Sequence, residues 1–387
     1  MRVFLDECDY LIHLIKCAIH NEQPQELPEG LNFEMVYNCG AYHQVANIAF
    51  SSVSKLVNKP EQSLYQKWKA CRDKAVIVHF NQIHARNEIV SGFEQMGIRF
   101  LEVQGTKIKA LYPQPEWRTM SDVDFIIDYE NLLKGQDLLQ SLGYECKIIK
   151  GVEVNGFRAP NIHVELHTEY FPVLCEYHTA MRPPFSSVED AGEYSISEFY
   201  LYNMLHIAKH YFASGCGIRR VLDAYYLNLN YGGIIDTEYV RSILDKTNAG
   251  SFVKELDTLA NRWFGLVEYS GERTDMERYI LGSGVHGTKA NSLNNRMQAT
   301  KTKYGRLYRM KHIFKRVLGN PKDLRKRYPV LNRWKILYPF CWLLRLFSGL
   351  LPRKRKRFRK EMRALTSVDN HYDCHSTSDC TVNNDNS

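Results

Sequence analysis

Apolar residues at Leu5, Cys8, Leu11, Ile12, Ile15 and Ile19 recur at helical spacing, which predicts an amphipathic helix over 3–20. Phe33 to Val57 and Glu61 to Met96 also read as largely helical, so 1–96 forms an N-terminal helical lobe. The period then changes. Residues 97–106 read as a short buried strand entering a Gly-initiated turn, and Lys107 to Tyr112 as the first turns of a helix stopped before Pro113. Residues 118–128 run from a polar opening into a strongly apolar strand. Asn131 to Leu142 has the spacing of an amphipathic helix closed by Gly143, with Tyr144 to Lys150 extended after it. Asn155-Gly156 predicts a hairpin turn that leads into a strand at His163–His167. From Ser197, a predicted N-cap, the pattern is helical to Tyr211, and again over Ile218–Leu229, Thr237–Lys246 and Val253–Phe264. The fold class is therefore α+β: a core over 97–195 between helical lobes at 1–96 and 196–300.

The apolar strand opens on Asp122-Val123-Asp124. Side chains alternate along a strand, so both carboxylates leave from one face while Val123 leaves from the other. Two anions held side by side near a core repel each other and lose hydration, and a divalent cation relieves both costs. On the spacing alone, a polar loop ahead of a strand accounts for them as well. A third carboxylate, Glu165, sits in the His163–His167 strand with His163 and His167 on its own face. Asp128 shares the face of Asp122 and Asp124 but lies roughly 13 Å beyond Asp124, too far to share their metal.

Several stretches resemble the uncharacterised nucleotidyltransferase family of bacteria, within the DNA polymerase beta-like superfamily. They are Gln104-Gly105-Thr106 through Leu111-Tyr112-Pro113, Arg118 through Asp124, and Val164-Glu165-Leu166-His167. The resemblance continues through residues 205–210 and 219–223 to 279–285, and touches Tyr328-Pro329 and Leu351-Pro352. It implies a small mixed-sheet nucleotidyltransferase core between the helical lobes, and transfer of a nucleoside monophosphate from an NTP to an acceptor, with pyrophosphate released. Asp122 and Asp124 would then bridge two Mg²⁺ ions and Glu165 would complete the set as ligand or base. Gly105, Thr106 and Lys107 would receive the phosphates, Arg118 would clamp them, and His167 would orient Glu165 or touch the nucleotide. His206, His210 and Asp223 would line the cleft or pack within the lobe, and Arg219 or Arg220 would pair with Asp223 or the nucleotide. The chain departs from the family at Val103-Gln104-Gly105, where Leu-Lys-Gly is usual; Lys107 and Lys109 stand close enough to substitute.

Two other readings keep these residues. With Gln104 in place of Lys, the fold would bind nucleotide without turnover and act as a regulatory module. Alternatively, the histidines with the carboxylates would form a transition-metal phosphoesterase site. The acceptor, whether protein, sugar, small molecule or RNA, is not encoded in any motif.

Composition adds an asymmetry. The net charge is +8, but 301–363 holds 22 Lys or Arg against Asp323 and Glu361, about +20, which leaves about −12 elsewhere. The basic pI thus describes an appendage, not the body. Residues 336–351 are almost wholly apolar and Arg353–Arg357 is polybasic, the arrangement of an interfacial helix. The run is too short to span a bilayer, so the expectation is a cytoplasmic protein with either a docked terminal helix or peripheral contact with the inner face of the membrane through 336–360. The polar tail 364–387 is expected to be disordered. The ten cysteines include no Cys-x-x-Cys pair and read as reduced thiols. Gly282-Ser-Gly284-Val-His-Gly287 matches a dinucleotide fingerprint, yet it follows an apparent helix and no βαβ unit surrounds it, so it reads as a loop.

Overall fold

The change of period at residue 97 marks the entry into the sheet. The computed structural model describes residues 2–149, 151–173, 175–186, 195–266, 271–285, 287–288, 291–292 and 295. Its five strands are β1 (Phe100–Glu102), β2 (Val123–Ile127), β3 (Glu145–Ile149), β4 (Glu153–Arg158) and β5 (Ile162–His167), in the order β1-β2-β5-β4-β3. Only β2 and β5 run parallel; the other three pairings are antiparallel. With helices on both sides of this mixed sheet, the architecture is the expected α+β.

Alternation decides which face is dry. Val123, Phe125 and Ile127 of β2, Val154 of β4, and Ile162, Val164 and Leu166 of β5 point to one side and are buried there. They pack against Ala85, Ile89 and Phe93 of α4 (Gln62–Met96) and against Leu132, Leu138 and Leu139 of α6 (Leu132–Ser141). Each large apolar side chain buried in this layer contributes about 1.5–3 kcal/mol. The opposite face receives Asp124 and Ile126 from β2, and His163, Glu165 and His167 from β5. The dry layer therefore forces the polar residues of both central strands onto one surface.

That surface is covered by helices from before and after the sheet. The N-terminal helices are α1 (Arg2–Ile19), α2 (Phe33–Tyr42) and α3 (Ala46–Val53). The largely helical stretch expected over 33–57 forms two helices, α2 and α3, with a break at Gln44, which takes φ +54. After β1 comes the five-residue α5 (Gly105–Lys109), and after the sheet α7 (Ile196–Ser214), α8 (Ile218–Tyr231), α9 (Thr237–Lys246), α10 (Gly250–Phe264) and α11 (Asp275–Ser283). Buried residues between Cys8 and Ala208 and between Cys216 and Leu281 form a second core that joins these helices to Leu101 and Ile126 on the sheet.

Three local expectations are corrected. Asn155-Gly156 is not a turn: both lie within β4, opposite Glu165 and Val164. A Cβ at Gly156 would stand 3.1 Å from Leu139, so glycine suits the close packing on α6, and pairing with β5 overrides the turn preference of the dipeptide. The cap of α7 is Ser195, whose hydroxyl accepts from Glu198 N–H, while Ser197 is buried and accepts from Asp236 N–H. Cys8 and Cys39, expected as thiols, form a disulfide between α1 and α2, both fully buried. The fingerprint-like Gly282–Gly287 begins at the end of α11, and Gly284, at φ +66, closes against the ring of Tyr42.

The chain divides into two compact units, 1–211 with 215–286 and 212–214 with 287–387. Every site considered below belongs to the first. The segments 301–363 and 364–387, including the 336–360 stretch, lie outside the described residues. No helix among the described residues is long and apolar enough to cross a membrane.

Candidate active site

The parallel pairing of β2 with β5 sets Asp124 directly beside Glu165. Asp122 stands one residue before β2, with Ser121 donating to its Oδ1 at 3.1 Å. Ligand atoms of Asp124, Glu165 and His167 lie within 4.8 Å of one another, and so do those of Asp122, His163 and Glu165. Glu165 belongs to both groups, so all three carboxylates converge. They line a cavity of about 550 Å³, within the usual range for small-molecule sites.

His167 binds this cluster together. Its Nε2 is 3.5 Å from Asp124 Oδ1 and 3.3 Å from Glu165 Oε2, and its Nδ1 is 3.7 Å from Glu153 Oε2. Burial alone would favour a neutral ring, but hydrogen bonding to Asp124 and Glu165 and their charges outweigh it and raise the pKa to about 10. Asp124 moves the other way from an ordinary carboxylate: burial, then the charge of Asp122, lifts it to about 6 against the pull of His167. The hydrogen bond from His167 is the main influence on Glu165 and holds its pKa below the usual value despite burial. One carboxylate is thus poised near neutrality and another kept ionised, a separation that single-purpose ion pairs do not need.

The loop before β2 is held from several directions. Asn47 and Gln82 donate to the carbonyls of Trp117 and Met120, at 2.9 and 3.0 Å, and Arg219 Nη1 donates to Thr119 O at 2.8 Å. Arg118, only 3% exposed, makes a two-pronged ion pair with fully buried Asp223: Nε to Oδ1 at 3.1 Å and Nη2 to Oδ2 at 3.0 Å. The Tyr112 hydroxyl adds a 2.7 Å bond to Asp223. Arg118 lines the cavity, but with two of its nitrogens committed to Asp223 it is a structural anchor as well as a cavity cation.

The expected phosphate turn looks different. Gly105 lines the cavity, whereas Thr106 and Lys107 do not. The Thr106 hydroxyl is buried without a partner. Lys109, the last residue of α5, is buried, and burial and then the charge of Arg118 lower its pKa to about 8. Gln104, at φ +52, turns its side chain to the Tyr202 hydroxyl at 3.0 Å, a backbone conformation that costs a non-glycine residue of order 1–3 kcal/mol. A Cβ at Gly105 would stand 2.7 Å from Arg118 Nη1 and 2.8 Å from Met120 Sδ. The glycine therefore admits Arg118, and because Asp223 pins that guanidinium, Gly105→Ala is expected to cost about 1–3 kcal/mol in urea unfolding.

Besides Arg118, the cations of the cavity come from α7 and α8: Lys209, Arg219 and Arg220 line it, with His206 and His210. Lys209 was not singled out by the sequence, although His206, Lys209 and His210 share one helical face. Tyr170 and Phe171, after β5, line the same space and pack on Tyr202 at 5.4 Å each.

Residues 29–265 match the model of an uncharacterised nucleotidyltransferase family, well over half of the chain. The chain belongs to that family. All three carboxylates and the basic residues of α7 and α8 fall within the matched segment. The match ends before residues 279–285, Tyr328-Pro329 and Leu351-Pro352, which the resemblance had included. No curated protein and no solved structure matches the chain. Family membership supports nucleotidyl transfer as the general activity, and the acidic groups around Glu165 could hold a divalent metal.

Proposed function

We propose that the chain moves a nucleoside monophosphate from a nucleoside triphosphate to an acceptor hydroxyl or similar nucleophile and releases pyrophosphate. The reading rests on the convergence of Asp122, Asp124 and Glu165 on one face of two adjacent parallel strands. Three carboxylates are hard oxygen donors and fit Mg²⁺, as a pair of ions held by Asp122, Asp124 and Glu165. Such ions, when bound, lower the pKa of the attacking hydroxyl and neutralise charge on the departing pyrophosphate.

The side chains supply the rest. Glu165, kept ionised by His167, takes the proton from the acceptor as its oxygen bonds to the α-phosphorus and the bond to the β-phosphate oxygen breaks. His167 fixes the orientation of Glu165 and Asp124 together. Gly105 and Arg118 form the cavity wall beside them. An NTP-consuming reaction suits the cytoplasm; contact with the inner face of the membrane through 336–360 is a reading of the sequence alone. The acceptor class, protein, sugar, small molecule or RNA, stays open.

Full-length protein given Mg²⁺ and each α-labelled NTP is expected to release pyrophosphate and to label a component of a nucleotide-depleted cell extract. Glu165→Gln is expected to abolish the labelling without unfolding the protein. Undiminished labelling by that variant would refute the mechanism. The engagement of Gln104 with Tyr202 favours one alternative, a nucleotide-binding regulatory module. Calorimetry separates the two, since tight Mg-NTP binding with no pyrophosphate release from any nucleotide would favour the module.

A further inference from the structure

The two walls of the cavity carry opposite charge; the acidic one belongs to the central strands. Its carboxylates share His167. The helical wall presents Lys209, Arg219 and Arg220 to the same space, and Arg118 joins them from the loop before β2. Among the described residues, Asp223 is the one carboxylate within ion-pair distance of any of the four, and it serves Arg118 and Arg220 together. Among the described residues, Arg219 reaches only the neutral oxygens of Gln44 and Thr119, and its Nε has no partner there. The amine of Lys209 stands 5.9 Å over the ring of Phe171. Four cations against one ion-paired carboxylate leave about three positive charges without a direct partner on this wall, with Asp124 and Glu165 acting on Lys209 at longer range, so an anion seated against the wall would lower its cost.

His206 points to the same conclusion. It is 6% exposed and lines this wall, and its buried Nδ1 has no partner while its Nε2 meets His210 Nε2 at 2.7 Å. Burial, then the charges of Lys209, His210, Arg220 and Arg118, drive its pKa well down, so the ring is neutral and carries one N–H. If Nε2 accepts from His210, that N–H is on Nδ1 and is available to an anion.

We propose that Lys209, Arg219 and Arg220, with Arg118 and His206, bind the β- and γ-phosphates of the incoming nucleotide and retain pyrophosphate after transfer, in place of the Gly105-Thr106-Lys107 turn. The identity of the ligand rests on the nucleotidyltransferase reading; the anion site itself requires neither metal nor transfer. A polyphosphate fits because it gathers three to four negative charges in one compact ligand, matching about three cations around one cavity. A single phosphate or carboxylate would leave most of the wall uncompensated. Arg219 and Arg220 also fall in the first turn of α8, a 14-residue helix whose N-terminal dipole favours an anion at that end. The departure from the usual Lys at Gln104 then has a physical account: the cations arrive from α7 and α8, and Gln104 is free to tie the turn to Tyr202.

The test is calorimetric titration of the full chain with inorganic tripolyphosphate and pyrophosphate in EDTA at constant ionic strength. The wild type is expected to bind both. Lys209→Gln and Arg220→Gln should each weaken binding about tenfold or more, while Lys107→Gln stays within about twofold of the wild type. Unfolding temperatures without ligand check that each variant is folded; if Arg220→Gln is not, Lys209→Gln decides alone. No binding by the wild type, or binding that survives Lys209→Gln but is lost in Lys107→Gln, overturns the proposal. Asp124→Asn should keep this metal-free binding whatever becomes of its catalysis, so the two readings fail in different assays.

Discussion

Asp124→Asn is expected to lower nucleotidyl transfer about 10³-fold or more, roughly 4 kcal/mol of transition-state stabilisation, without loss of the fold. Asparagine has the shape of aspartate, and the backbone of position 124 is fixed by its pairing with Glu165. What disappears is the one fully desolvated anion of the converging set. Burial and the neighbouring charge of Asp122 both weigh against that anion, as its raised pKa reports. Removing the charge therefore relieves repulsion, while His167 keeps Glu165 as a partner. Stability in urea should be unchanged or higher, the opposite direction from activity, which is the signature of a residue retained for chemistry at a cost in stability. Label transfer from α-labelled NTP gives the first quantity and the unfolding midpoint the second. Transfer within tenfold of the wild type would remove Asp124 from the mechanism.

How far the sequence disclosed this site depends on the range of the interaction. Alternation along a single strand is local, so the common face of His163, Glu165 and His167 and the joint direction of Asp122 and Asp124 follow from the order of residues alone. Which strands lie side by side is not local. The contact of Asp124 with Glu165 depends on β5 returning next to β2 after the β3–β4 hairpin, and nothing within either segment states that. The dipeptide Asn155-Gly156 carried a strong local turn signal, yet its pairing with Glu165 and Val164 of β5, beyond the reach of any turn rule, set its conformation.

The basic wall was obscured for a similar reason. Arg118 and Asp223 are separated by 105 positions, in a chain with 51 basic and 43 acidic residues, so this pairing could not be selected from spacing, whereas Arg220 with Asp223, three positions apart, could. Gly105 was legible as a residue that permits close approach, but what approaches is the Arg118 guanidinium. Lys209 left a fainter trace: Phe199 to Ala208 is buried on every side of α7, so a lysine and two histidines at its end needed a polar space to enter. A helix that is apolar all round signals burial without saying against what.

Asp223→Ala is expected to destabilise the protein by about 3–5 kcal/mol, the range for breaking a buried ion pair by removing one partner. Asp223 is fully buried and receives Arg118 through two bonds, Tyr112 through its hydroxyl and Arg220 at 3.5 Å. Alanine strands two guanidinium groups beside Arg219, which has no carboxylate of its own, so the loss includes cation–cation repulsion as well as missing hydrogen bonds. Asp223→Asn keeps the volume and some acceptor capacity but not the charge, and should fall between the two. The sign of the pH dependence follows from the depressed pKa: burial opposes the charge of Asp223, and Arg118, then Arg220 and Arg219, outweigh it. Its contribution is complete above the ordinary value of 3.8 and disappears as pH falls through the lower folded value. The gap between wild type and Asp223→Ala in urea should accordingly be constant near neutrality and narrow in acid. Because Arg118 also anchors the loop that carries Asp122, transfer should fall with stability, and the double variant Arg118→Met with Asp223→Leu should recover part of the stability without recovering activity. A cost below about 1 kcal/mol for Asp223→Ala would mean that solvent reaches this pair and that the helical wall is less desolvated than its burial indicates.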